Sequence, residues 1–176
     1  MLMKHFVKFF VVTFLLMFCT GVSAEQKIVF LDLAYVLNNS KAGKGAQDYL
    51  KKTYNDNLKK YMDMEKELKK EEQDLLAKKT VLSKEEYTNK SDTLRKKVID
   101  FQSQRRASLD KIATQRSESR AILIKNIDPI LQTYMKENDI SIVIDKKIIL
   151  GGKPETDITK TIVEKLDKVL PSLNLK

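Results

Sequence analysis

Apolar and polar positions follow three different periods along this chain, and the order of those periods sets its plan. Lys27–Asp32 (KIVFLD) carries a continuous apolar run, Ile28-Val29-Phe30-Leu31, of strand length and composition. Asp32 is placed to cap a short helix over Leu33–Leu37, and Asn38-Asn39-Ser40 with Gly43 and Gly45 mark a break after it. From Ala46 the apolar residues take helical spacing: Leu50, Tyr54, Leu58, Tyr61, Leu68, Leu75 and Leu82. Tyr61, Leu68, Leu75 and Leu82 recur every seven residues, the spacing of a helix–helix seam. The companion series Leu58, Glu65, Glu72, Lys79 is polar after its first member. So narrow a seam predicts one partner helix and no thick core.

The chain is expected to reverse around Lys78–Leu82, because Ser83-Lys84-Glu85-Glu86 is a capping box that opens a second helix. That helix carries Tyr87, Leu94, Val98, Phe101, Leu109, Ile112, Leu123, Ile127 and Tyr134, with Arg105 and Arg106 interrupting its seam. At 1.5 Å per residue, about 40 residues per limb give an arm on the order of 60 Å long. Pro129, preceded by Asp128, marks either a restart or a kink.

After Asn138 the period becomes strand-like. Ile140–Asp145 (ISIVID) is β-branched, and Ile148-Ile149-Leu150 beyond Lys146-Lys147 predicts a hairpin partner. Gly151-Gly152-Lys153-Pro154 ends that strand. Asp157 is placed to cap a final amphipathic helix, Thr159–Leu170, with Ile162, Val163, Leu166 and Val169 on one side.

The expected class is therefore α+β. A small β-sheet head takes its strands from both ends of the mature chain, residues 25–40 and 139–176. A long antiparallel α-helical coiled-coil hairpin, residues 41–138, forms an arm. Three short strands and one or two short helices are too little for a self-standing core. The head is thus expected to associate with other copies, and cyclic symmetry would project the arms to one side.

Residues 1–24 have the pattern of a cleaved export signal. Lys4, His5 and Lys8 make a basic start, Phe9–Phe18 is apolar, and Val22-Ser23-Ala24 supplies small residues before the cut. An uncleaved anchor is the alternative, although the apolar run is short of the roughly 20 residues that span a bilayer. Cys19 follows Phe18 rather than a small residue, which argues against lipoprotein processing.

Removing that segment takes the only Cys and the only His with it, and the chain has no Trp. No thiol or imidazole remains for nucleophilic or general-base chemistry, so the mature chain reads as a non-enzyme with no cofactor. Ser108-Leu109-Asp110-Lys111 matches an S-x-x-K pattern but falls mid-helix without companion motifs. Gly43-Lys44-Gly45 and Gly151-Gly152-Lys153 lack the full phosphate-loop spacing. Glu65, Glu71, Glu72 and Asp74 sit on a helix surface with no loop to converge their oxygens on a cation.

Charge divides the molecule further. Residues 41–138 hold 23 Lys and Arg against 16 Asp and Glu, whereas the two flanks hold 8 of each sign. The arm thus carries the whole net charge of the mature chain, +7. Such a field draws acidic partners. Nucleic acid is the less fitting choice, since an exported chain seldom meets it.

The order of IVFLD after a signal segment, a charged helical hairpin, then ISIVIDKKIIL and DITKTIVEKLDK, resembles the Skp/OmpH family of periplasmic chaperones. The resemblance covers the mature chain and is most specific over Ile140–Lys168. It implies a trimer with a shared β body and three helical hairpins. It also implies an ATP-independent holdase that keeps unfolded outer-membrane β-barrel proteins soluble until they are inserted. The family's best-known members carry a basic lipopolysaccharide-binding cluster. Arg105, Arg106, Arg116 and Arg120 are the candidates by charge for anionic lipid or lipopolysaccharide, but their spacing does not reproduce that cluster. Lys59, Lys60, Tyr61, Met62 and Met64, with those four arginines, are the candidate client-facing residues: adaptable apolar contacts among cations. A structural coiled-coil protein of the envelope is the alternative reading.

Overall fold

The structure, a computed structural model, describes residues 26–175, so the export signal read over residues 1–24 lies outside the described residues. Strand β1 (Lys27–Leu31) and strand β2 (Ile140–Asp145) pair in parallel, with Val29 opposite Val143 and Phe30 opposite Ile144. Parallel strands cannot be joined by a tight turn and need a long crossover. Here the crossover is the whole helical arm.

Between β1 and the arm lies helix α1 (Leu33–Asn39), capped by Asp32, whose carboxylate accepts from the Tyr35 N–H at 2.8 Å. Buried Ser40 then ends α1 and caps α2 (Lys41–Ala77), its hydroxyl accepting from the Gly43 N–H at 3.2 Å. The expected break is therefore one residue long, and Gly43 and Gly45 fall inside the helix. Gly43 is required by packing: a methyl group there would collide with the Leu37 carbonyl oxygen.

The chain reverses over residues 78–82 and enters helix α3 (Lys84–Glu137). Its capping box forms as expected. The Ser83 hydroxyl accepts from the Glu86 N–H at 3.2 Å, and the Glu86 carboxylate accepts from the Ser83 N–H at 3.0 Å. Pro129 does not restart the helix, which runs through it and forgoes the one hydrogen bond a proline cannot donate. With 37 and 54 residues, the limbs extend about 55 and 80 Å.

The expected second strand of the C-terminal hairpin is absent from the head. Ile148-Ile149-Leu150 does not form a strand: Lys146–Ile148 is a single 3-10 turn and Leu150 is fully exposed. Two lysines cannot readily take the positive-φ geometry of a two-residue hairpin. Asp145 instead accepts from the Lys147 N–H at 3.0 Å and closes a tighter local turn. After that turn the chain returns along the other edge of β1, where Asp157 bridges Phe30 in parallel and the Ile158 N–H donates to the Phe30 carbonyl at 3.0 Å.

Helix α4 (Thr159–Val169) closes the head. Its N-cap residue is Ile158, one place later than expected, yet Asp157 still accepts from the Thr159 N–H at 3.0 Å. Ile162 and Leu166 are fully buried, while Val169, expected on the same side, is exposed as the last residue of the helix. The head core joins Val29, Leu31, Val36 and Leu37 to Ile140, Ile158, Ile162 and Leu166, and takes in Ala42, Leu123 and Ile127 from the roots of the arm. Polar ties reinforce the closure: the Asp32 N–H donates to Thr159 Oγ1 at 2.9 Å, and the Lys41 N–H to Asp167 Oδ1 at 2.7 Å.

Candidate functional site

The arm is two helices wide, so every arm residue either faces the seam or meets solvent. Midway along the arm the seam is held by Tyr61, buried against Phe101 edge to face with ring centroids 6.0 Å apart. The Tyr61 hydroxyl donates to the Gln104 carbonyl at 2.9 Å. Toward the tip, Lys97 reaches across to Glu71 at 2.7 Å. These cross-links fix the antiparallel register. Closer to the head the seam holds Leu50, Ile112, Gln115, Ser119 and Leu123, all buried. Gln115 and Ser119 were not expected there. The Ser119 hydroxyl satisfies itself by donating to the Gln115 carbonyl at 2.6 Å, a local bond that lets a polar residue sit in a helix interior.

Three residues that sequence spacing placed in the seam are outside it. Tyr54 is 45% exposed, Leu58 44% and Leu109 47%. Met62, at 49%, is exposed as well. Tyr54, Leu58 and Met62 succeed one another at i, i+4, i+8 on α2, so they share a side of the helix. Leu109 precedes Arg116 by one heptad, and Arg120 follows Arg116 by four residues, which places all three on one side of α3. A groove of about 660 Å³ near the head brings the two rows together, with Tyr54 and Lys51 on one wall and Arg116 and Arg120 on the other. Leu50 and Leu123 line it as well. A second groove of about 470 Å³ runs toward the tip, lined by Glu65, Leu68, Leu76, Tyr87 and Val98.

The candidate residues named from sequence separate on this frame. Arg116 and Arg120 line the groove near the head, and both are exposed. Met62 belongs to the exposed apolar row. Tyr61 faces the seam, with the Lys60 ammonium 5.4 Å from its ring centroid. Lys59, Lys60, Arg105 and Arg106 are exposed, and Met64 is half-buried. Spacing puts Met64 on the far side of the seam from Met62. Tyr54, Leu58 and Leu109 are the residues that the site reading missed. The signal was present, since Leu58 heads the otherwise polar series Glu65, Glu72, Lys79.

The charges along the arm are settled locally. Glu65 pairs with Lys69 at 2.8 Å, and the hydrogen bond from that lysine holds the carboxyl below its ordinary range, with Arg105 adding a smaller pull in the same direction. Glu71 is taken by Lys97. Among the described residues no carboxylate pairs with Arg105, Arg106, Arg116 or Arg120. Arg106, Arg116 and Arg120 are thus open to an external anion, whereas Arg105 lies within electrostatic reach of Glu65. No group of acidic, His or Cys side chains suited to a metal ion occurs among the described residues.

The head presents a different surface. Ile28 and Ile142 are register partners on the outward face of the sheet and both are exposed, as are Ile148 and Leu150 beside them in sequence. Lys146 and Asp157, 2.8 Å apart, lock the return of the chain across Phe30. Burial alone would raise the Asp157 carboxyl, but hydrogen bonds from Lys146 and Thr159 outweigh it and leave it lowered.

Comparison with known proteins places this architecture. The family model described as "Outer membrane protein (OmpH-like)" matches residues 27–166, from the first residue of β1 into α4. A Skp-like protein of Pseudomonas aeruginosa is 23% identical over 167 residues, covering 95% of this chain and 99% of its own length. The crystal structure of an OmpH-like protein of Caulobacter crescentus CB15 superposes with a TM-score of 0.79 at 18% identity, covering 86% of this chain and 89% of that one, and so shares the fold. With most of its length matched by the family model, the chain belongs to the Skp/OmpH family of periplasmic chaperones.

Proposed function

We propose that this chaperone holds unfolded outer-membrane β-barrel proteins against the apolar, basic face of its arm, and that it assembles through its head as a homotrimer. The observation that carries the first part is the row Tyr54, Leu58, Met62, half-exposed on α2 and running at Tyr54 into a groove that Arg116 and Arg120 line without a carboxylate partner. A folded arm gains nothing by exposing that row to water. An unfolded chain with scattered apolar and acidic residues gains from meeting it. Many shallow contacts hold such a chain without requiring one sequence, and release follows when a more favourable destination appears. No nucleotide enters this cycle.

The second part rests on the head. Two paired strands leave an apolar outward face at Ile28 and Ile142, with Ile148 and Leu150 exposed beyond the end of β2. Strand edges and apolar faces of this size are covered in stable proteins, and other copies of the same head are the available cover. In this reading residues 25–40 and 139–176 serve assembly, and residues 41–138 serve capture.

The test is turbidity of a urea-denatured β-barrel client on dilution, with and without the mature protein. Suppression of aggregation at near-stoichiometric trimer, weakened by Leu58→Gln with Met62→Gln, is expected. Aggregation unchanged by excess wild-type protein would refute the proposal and favour a purely structural role in the envelope.

A further inference from the structure

We propose that the head-proximal groove and the exposed row on α2 form a track for one extended polypeptide strand, in which every second residue is apolar and a carboxylate lies at the end nearest the head. The inference deepens the holdase reading and rests on it.

Spacing is the first argument. Successive members of an i, i+4 row on a helix rise about 6 Å, and alternate residues of an extended chain lie about 6.6–6.8 Å apart. From Tyr54 to Met62 the mismatch therefore accumulates to only about 1.4 Å over two intervals, well within the reach of flexible Leu and Met side chains. An extended strand laid along α2 can thus put three consecutive same-side residues onto Tyr54, Leu58 and Met62. A transmembrane β-strand has such a pattern: roughly 9–11 residues alternating apolar and polar. Its polar residues would point to solvent, and its backbone would remain hydrated.

Chemistry at the head end supplies the second argument. Beyond Tyr54 the row runs into the groove of about 660 Å³, inside the roughly 300–1,000 Å³ range of sites that enclose small groups. Leu50 and Leu123 give it apolar lining. Lys51, Arg116 and Arg120 outnumber Asp48, its one acidic lining residue. Arg116 and Arg120 lie one helical turn apart, and neither is engaged by a carboxylate among the described residues. Guanidiniums beside an apolar recess suit a carboxylate adjoining an apolar side chain, whether an Asp or Glu side chain or a chain terminus. Selectivity then comes from pattern rather than sequence, as a chaperone with many clients requires.

The test is fluorescence anisotropy with three labelled ten-residue peptides added to the intact mature protein. One alternates apolar and polar residues and ends in an acidic residue with a free carboxylate. A second has the same composition with its apolar residues clustered. A third alternates but replaces the acid by its amide and amidates the terminus. The alternating acidic peptide is expected to bind at least tenfold more tightly than the clustered one and several-fold more tightly than the amide. Arg116→Gln with Arg120→Gln should abolish the acid–amide difference and keep the alternating–clustered difference. Leu58→Gln with Met62→Gln should do the reverse. Equal binding of alternating and clustered peptides overturns the track. So does full displacement of the bound peptide by anionic lipid vesicles from a protein that shows no pattern preference, since the face would then be a lipid site. Turbidity with a full-length client separates the two levels. If aggregation is suppressed while the peptides are not distinguished, the holdase stands and the track falls; if neither effect occurs, both fall.

Discussion

Replacing Tyr61 by Ala, and separately by Phe, tests whether the arm is held by a few discrete cross-links in a thin seam. Tyr61 is 9% exposed, packs edge to face on Phe101 and donates to the Gln104 carbonyl. Phe keeps the ring pair and loses only the hydroxyl contact, a change worth about 1 kcal/mol. Ala loses the buried ring as well, and truncation of a buried aromatic costs roughly 3–5 kcal/mol. A seam two helices wide has no third layer to collapse into the gap, so the cost should fall locally. Amide hydrogen exchange by mass spectrometry reads it directly. Over residues 54–66 and 98–106 protection should fall about fivefold in Tyr61→Phe and more than a hundredfold in Tyr61→Ala, while the head strands stay protected. Unchanged exchange in Tyr61→Ala would refute the cross-link reasoning. Equal loss of protection in arm and head would refute the separation of arm stability from head stability.

Three further outcomes follow from local geometry. The Glu86 carboxyl is held below its ordinary value of 4.5 by hydrogen bonds from Ser83, so its contribution to the start of α3 is complete above that value and is lost as pH falls through the lower folded value. Tip protection should therefore drop between pH 7 and 3 in the wild type, less so in Glu86→Gln, and Ser83→Ala should destabilise the tip by about 1 kcal/mol at neutral pH. Gly43→Ala should destabilise the head by roughly 1–3 kcal/mol in urea unfolding, because its methyl group meets the Leu37 carbonyl; Gly45→Ala, with open space around it, should not. Asp139 has φ of 52°, a left-handed conformation that glycine adopts without strain, so Asp139→Gly should raise the urea midpoint by an amount corresponding to roughly 0.5–1 kcal/mol.

What could be read from the sequence depended on range. The capping box at Ser83 and the cap at Asp32 are settled within four residues, and both stand where the local pattern put them. The first three heptad members, Tyr61, Leu68 and Leu75, and the two distant β-branched runs were equally legible, because a seam stripe and a strand leave strong periodic marks; Leu82, the fourth member, falls in the reversing turn beyond the helix. The failures arise where two answers share one local pattern. Ile148-Ile149-Leu150 looks like a strand, but Asp145 wins the preceding turn for a 3-10 bend and the chain joins the other edge of β1. Tyr54, Leu58 and Leu109 fit helical spacing as well as Leu50 does. Because 3.6 residues per turn drift about 20° per heptad against a seven-residue repeat, which of them face the seam is decided only by the partner helix. The exposed face beside the guanidiniums was invisible for that reason. So was the need for glycine at 43, which depends on where the carbonyl of Leu37 ends up.

The most direct measurement is the native mass of the mature protein, alone and after dilution with a denatured β-barrel client. The account predicts three copies alone and three copies with one client in the soluble complex. A monomer under both conditions, with the client left in the precipitate, would contradict it.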